Sequence, residues 1–268
     1  MQYTPVALVK EADIALHRGA QYLTLTAKAF LSPEDDDSHT NLEWNHERQR
    51  LEGRWFRATG NEYRLTLSPS DYELIWEDRS RVAVERKQLA QAQLSEVRSW
   101  WEATAKTIGE KDVSEIQLHY ELPDDEVYTS EALPNPNSDM LGAWMRWRTR
   151  AEKLLQGTKS ILTHPRDIRV WPHHFDSGLY GEVTSELALG VGVAPADTMV
   201  DEPYIYLYGW KNEQYKPMTE SHDEIGKWIA PESKGGWSGF VLPFNDIENV
   251  SDDEVREVIN SATQAILS

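Results

Sequence analysis

The sequence predicts an α+β protein with largely antiparallel sheets, long helices packed on one face, and two halves of similar size. Three observations lead there. Short stretches rich in β-branched and aromatic residues follow one another with turn residues between them, a pattern of hairpins rather than crossovers. Each half carries a long stretch with apolar residues at helical spacing, 88–108 and 139–156. Between them lies an acidic, Asn-containing stretch with Pro123, Pro134 and Pro136. The expected organisation is therefore an N-terminal subdomain over 1–122, a linker over 123–138 and a C-terminal subdomain over 139–268.

Taken in order, residues 6–18 read as a short helix stopping at Gly19, and Tyr22 to Phe30 as a strand. The acidic run Glu34-Asp35-Asp36-Asp37-Ser38-His39 lacks the glycine and distal glutamate of a calcium loop and reads as a solvated turn. Strands are expected near 40–45, 50–57, 62–68 and 71–77, separated by turns such as Thr59-Gly60-Asn61, with 81–85 adding another. In the helix over 88–108, Ala90, Leu94, Val97, Trp101, Ala105 and Ile108 share a face, and Gly109 stands where a C-cap belongs. A strand is expected over 113–120. The helix over 139–156 repeats Met140, Trp144, Trp147, Ala151 and Leu154, while Arg146, Arg150 and Lys153 line a face that reads as solvated. After His164-Pro165 come strands near 167–172, 179–189 and 203–210, a short helix over 222–229, and a last strand within 235–244. Ser251, with Glu254 three residues on, makes a capping box for a final helix faced by Val255, Val258, Ala262 and Ala265 or Ile266.

Composition narrows the partners. With 27 basic and 45 acidic residues the formal charge is −18, which repels phosphate backbones and anionic lipid surfaces, so neither nucleic acid nor membrane is expected. The absence of cysteine excludes disulfides and thiolate metal sites. The first nineteen residues mix charges into their apolar run, unlike a signal peptide, and no segment has the roughly 20 apolar residues needed to cross a bilayer. A soluble cytoplasmic protein is the expectation. No motif implies a cofactor or an oligomeric state.

The chemistry-bearing residues concentrate in Trp171-Pro172-His173-His174-Phe175-Asp176 and Glu202-Pro203-Tyr204-Ile205-Tyr206-Leu207-Tyr208-Gly209-Trp210. Read as extended backbone, the first stretch puts His174 and Asp176 on one side, where a carboxylate orients an imidazole. These two are the candidate catalytic residues, though no nucleophile elbow accompanies them. Two adjacent His and a nearby Asp, with Glu182 or Glu186, fall short of a metal motif, and none is assigned. Along the second stretch Tyr204, Tyr206, Tyr208 and Trp210 share one face and Ile205 and Leu207 the other. With Trp171, Asp197 and Glu202, Tyr204 and Tyr206 are the candidate ligand-binding residues.

At these positions the chain resembles a family of uncharacterised bacterial proteins with three motifs: Trp-Pro-x-His-Phe-Asp, a Gly-x-Ser-Pro-Gly-Asp-like turn and Glu-Pro-Tyr-x-Tyr. The counterparts are residues 171–176, 192–197 and 202–206, and Gly239 to Phe244 before the last helix is similar too. The resemblance covers about residues 165–268. Ala194 and Ala196 depart from the family's Ser and Gly, and position 173 varies in the family, which discounts His173. The family brings no assigned activity. Two readings stay open: a small-molecule binding protein or enzyme with a His/Asp/Tyr cleft, or a structural or interaction module whose polar residues serve only each other.

Overall fold

Helix α1 is described over Pro5–Phe30, 26 residues. The predicted stop at Gly19 and strand over 22–30 are both replaced by this helix. Nearly every residue from Ala12 to Ala29 is buried, so no polar stripe marks a period of 3.6, and the β-branched Thr24 and Thr26 imitate strand composition. Gly19 serves close packing instead. A Cβ there would come within 3.0 Å of Leu89 and 3.2 Å of Leu67.

The computed structural model describes residues 5–123, 126–164, 166–233 and 235–268. They form an α+β fold with two antiparallel sheets, divided into two units. The N-terminal unit comprises Ala7–Met145 and Val170–Phe175; the C-terminal unit comprises Arg146–Arg169 and Asp176–Ser268, with Pro5 and Val6.

In the N-terminal unit the meander is β1 (Glu43–Asn45), β2 (Arg50–Glu52), β3 (Phe56–Ala58), β4 (Asn61–Ser68), β5 (Glu73–Asp78) and β6 (Ala83–Gln88). The order is β1-β2-β4-β5-β6, with β3 also pairing β4. The single strand expected over 50–57 is interrupted at Gly53, where β4 passes so close that a Cβ would lie 2.8 Å from Leu65 O. Helix α2 (Leu94–Gly109) buries Val97, Trp101, Ala105 and Ile108 as predicted, but it begins six residues later than expected, with Gln88 ending β6, Ala90 in the turn before the helix and Leu94 only half-buried. Its cap is Glu110, at φ 50°, rather than Gly109. Gly109 makes room for Phe30, whose ring a Cβ would meet at 2.2 Å. No strand forms over 113–120; Arg98 Nη2 holds the carbonyls of Val113 and Ser114, at 3.3 and 2.9 Å, in a bent path. Of the stretch read as a linker, residues 124–125 lie outside the described residues. The rest includes α3 (Glu126–Thr129) and Leu133, which is buried and donates its N–H to Ala92 O at 2.9 Å. Helix α4 (Ser138–Leu155) runs on into the C-terminal unit, and β7 (Arg169–Trp171) meets Leu42 through Val170 in both bond directions.

The C-terminal unit has β8 (Asp176–Glu182), β9 (Ala188–Ala194), β10 (Tyr204–Lys211), β11 (Gln214–Tyr215), β12 (Ser221–His222), β13 (Lys227–Ile229) and β14 (Gly239–Pro243). They run in the order β12-β13-β14-β10-β9-β8, with β11 on β10. The strand expected over 179–189 is two strands, because Thr184 Oγ1 accepts the N–H groups of Glu186 and Leu187, both at 3.2 Å, and turns the chain. The helix expected over 222–229 is a hairpin instead, turned at Gly226 with φ +86°. Two helices close the chain, α5 (Phe244–Ile247) and α6 (Asp252–Leu267). Ser251 caps α6 from the Glu254 N–H at 3.3 Å, as its sequence predicts. Arg150 is not a solvated cation. It donates to Ile247 O at 2.8 Å and Val250 O at 2.6 Å, and pairs with Asp252 at 2.7 Å, tying α4 to the start of α6.

One polar cluster lies inside the N-terminal sheet. Glu77, with no exposed side-chain surface, accepts from Arg48, Arg50 and Arg64, and Arg64 also reaches Glu52 at 2.5 Å. Burial alone would raise the Glu77 pKa; hydrogen bonds from Arg48 and the charges of all three arginines outweigh it and hold the carboxyl below its usual value. The folded pKa is thus depressed. Stability from this group is complete above the unfolded value near about 4.3 and is lost as pH falls through the folded value. Glu77→Gln leaves three cations facing a neutral group, and chemical denaturation at pH 7 should show a loss of about 3–5 kcal/mol. The same variant should flatten the acid limb of the stability profile.

Candidate functional site

Alternation along β10 is as predicted. Ile205 and Leu207 are fully buried on one face, while Tyr206, Tyr208 and Trp210 are half-buried on the other with Tyr204 sealed beside them. The sequence reason lies on the next strand. Gly190 is paired with Tyr208, and Gly192 with Tyr206. A Cβ at Gly190 would sit 2.1 Å from Tyr208 Cζ, and one at Gly192 would sit 2.3 Å from the Tyr206 ring. The glycines of Gly-Val-Gly-Val let the tyrosine rings lie flat across β9, which is the device by which aromatics cover glycine in a sheet.

Those rings carry their hydroxyls to two of the candidate acids. Tyr206 donates to Asp176 Oδ2 at 2.6 Å, and Tyr204 to Asp197 Oδ2 at 2.7 Å. Burial, then the adjacent carboxylate, holds both phenols well above their ordinary pKa, so both stay protonated donors. The other oxygen of Asp197, Oδ1, accepts the N–H groups of Met199 (2.7 Å) and Val200 (3.0 Å), closing the turn after β9. Glu202 takes the Asn245 N–H in the first turn of α5 at 2.8 Å. All three acids are thus engaged by donors of the protein itself.

The Trp-Pro-His-His-Phe-Asp stretch is not extended. Residues 172–175 form a turn, closed by Phe175 N–H to Trp171 O at 2.8 Å, with Phe175 at φ 58°. The alternation used to pair His174 with Asp176 therefore does not apply. Phe175 is fully buried and stacks on His17, ring centroids 5.1 Å apart, and on Trp144 at 5.9 Å. Trp171 is half-buried beside His173. His174 is exposed, with its ring 4.5 Å from that of His173, and among the described residues it makes no hydrogen bond. Among the described residues no group of three or more His, Cys, Asp or Glu could hold a metal ion.

Sequence reasoning missed a different feature. The N-terminal unit holds an open cavity of about 580 Å³ between α1, the start of α2 and residues 117–122, 128 and 131. Leu25, Leu94, Leu118 and Leu122 make it largely apolar, and Arg18, Tyr22, Arg98 and Tyr128 bring polar groups to it. Arg18 donates from Nη1 to Val127 O (2.8 Å) and Ala132 O (3.0 Å) and from Nη2 to Ser130 O. His17, one residue earlier, bonds Pro172 O through Nε2 and the Tyr128 hydroxyl through Nδ1, both at 2.8 Å. A carbonyl only accepts, so Nε2 carries a proton. The signal available in the sequence was an Arg inside an apolar helical run. It was hidden by ending that helix at Gly19.

Comparison with family models, with curated proteins and with solved structures found no match to this chain.

The glycine–tyrosine fit gives a direct test. Gly190→Ala should lower stability by about 1–3 kcal/mol in chemical denaturation. Because the three atoms nearest the new methyl all belong to Tyr208, the same change in a Tyr208→Ser background should cost little. Equal losses in both backgrounds would show that the ring is not what requires glycine.

Proposed function

We propose that this protein binds a small molecule in the cavity of the N-terminal unit. The observation that carries the reading is the cavity itself: about 580 Å³, apolar for the most part, with a few polar groups converging on it. That size and lining are those of ligand pockets. The reading keeps the small-molecule partner expected from the sequence and moves its place from the aspartates to α1 and α2. It takes the protein as cytoplasmic and without a nucleic-acid partner, supported by the absence of cysteine and a charge of −18. No helix among the described residues is long and apolar enough to cross a membrane. It also takes the chain as a relative of the bacterial family its three motifs resemble.

For the C-terminal residues a second reading has its own support. Asp176, Asp197 and Glu202 each accept from a donor of the fold, which favours a structural role for them over catalysis with His174.

Two measurements test these readings. In a thermal-shift screen of small apolar and aromatic compounds, stabilising compounds should exist, and Leu118→Trp, which sets a bulkier ring in the lining, should weaken their effect without lowering the unliganded melting temperature. Stabilisation unchanged in that variant would place binding elsewhere. Tyr206→Phe should cost about 1.5–3 kcal/mol, as for loss of a hydrogen bond to a charged group. Unchanged stability would remove the structural reading of Asp176.

A further inference from the structure

We infer that the ligand of this cavity is a monoanion, a carboxylate on an apolar or aromatic body, with Arg18 as its counter-ion; the inference rests on the cavity being a binding site. Arg18 is 4% exposed, and among the described residues no carboxylate lies within ion-pair distance of it; only Glu131, exposed at the rim, acts on it from farther off. A buried cation normally has a matching anion, since desolvation is costly and neutral dipoles offset it only in part. Burial lowers the pKa of Arg18, in keeping with that want.

The donor count says what is missing. A guanidinium has five N–H groups. Three are spent on the carbonyls of Val127, Ser130 and Ala132. Those left are on Nε and Nη2, neighbouring nitrogens of the guanidinium that are able to serve a carboxylate as a fork. The three carbonyl bonds fix the side chain beforehand, so little rotamer freedom is lost on binding.

The charge count limits the ligand to one negative charge. The other cation at the cavity, Arg98, is already matched: its Nε bonds Glu102 at 2.5 Å and its Nη2 two carbonyls. Both arginines act on Tyr22, whose hydroxyl is raised to about 12 by burial while Arg98 and Arg18 pull it down. That phenol donates to Leu94 O at 3.2 Å and stays neutral. Glu131, exposed at the rim, repels any second charge, as does a chain of net charge −18. The leucines require the remainder of the ligand to be apolar.

The test is calorimetric titration of the full chain with 2-naphthoate, 2-naphthalenemethanol and 2-naphthyl phosphate at low ionic strength. Naphthoate should bind about tenfold or more tightly than the neutral alcohol, the factor expected of a charge-assisted bond, and at least as tightly as the phosphate. Arg18→Lys keeps the charge and loses the fork; it should reduce the preference for carboxylate over alcohol to about threefold or less. Because that variant can also loosen residues 126–132, Glu131→Gln provides a second measure that leaves Arg18 untouched. It should tighten naphthoate about twofold or more and leave the alcohol unchanged. Equal binding of naphthoate and alcohol, tighter binding of the phosphate, or weaker naphthoate binding in Glu131→Gln overturns the monocarboxylate assignment while the cavity reading stands. Failure of all three probes, or undiminished binding to Leu118→Trp, removes the cavity reading with it.

Discussion

The burial of α1 on almost every side is the constraint on which the N-terminal unit depends. A helix at the surface can point its polar residues at water; this one carries Asp13, His17, Arg18 and Gln21 into the interior. Each must find a partner in the fold. Asp13 takes the Trp144 indole N–H at 2.6 Å. His17 and Gln21 both donate to Pro172 O, and Gln21 Oε1 accepts from Tyr120 at 2.6 Å. Arg18 gathers the carbonyls of 127, 130 and 132. Four polar residues in nine positions thus recruit α4, the 172–175 turn, residue 120 and the segment around α3. The irregular parts of the unit go where these side chains need acceptors and donors, and the cavity is the space left between them.

The C-terminal unit solves the same problem with a sheet. Alternate glycines on β9 open a channel one residue wide, and alternate tyrosines on β10 fill it from the side. A ring laid across a strand brings its hydroxyl beyond the neighbouring strand, so Tyr206 meets an acid at the start of β8 and Tyr204 one in the turn after β9. The aspartates that a motif search singles out are, in this arrangement, the far ends of a packing device. Their clustering with aromatics follows from the reach of a phenol and requires no ligand.

What could be read from the sequence was what local physics alone decides. The capping box of α6, the apolar face of α2 from Val97 to Ile108 and the two faces of β10 depend on neighbours within a turn or on strict alternation, and these came out as expected. The turns at Thr184 and Gly226 are local features that were overlooked; other misreadings share one cause, a tertiary contact that overrides local preference. Burial on all sides erased the period of α1. Phe175 adopts a left-handed backbone that a phenylalanine avoids, and its ring, fully buried between His17 and Trp144, stabilises it there. Gly19 and Gly109, read as helix stops, are both places where another side chain presses on a helix. Of the candidate site, the residues were visible and their partners were not.

The difference between the aspartates and Arg18 bears on how a site is recognised at all. Polar residues among aromatics satisfied the sequence criterion at 171–210, whereas Arg18 sat among scattered polar residues in a mainly apolar run. Accounting for partners reverses that order. Asp176, Asp197 and Glu202 each hold a donor, so the folded chain leaves little for a ligand to complete. Arg18 has its hydrogen bonds partly filled and, among the described residues, no carboxylate within ion-pair distance, beside a space large enough for a guest. A folded protein tolerates such an imbalance at a cost of several kcal/mol. A ligand that restores the balance draws its affinity from that same cost, since the desolvation of the cation has already been met in folding. Residual imbalance is therefore a sharper sign of a site than the density of reactive side chains.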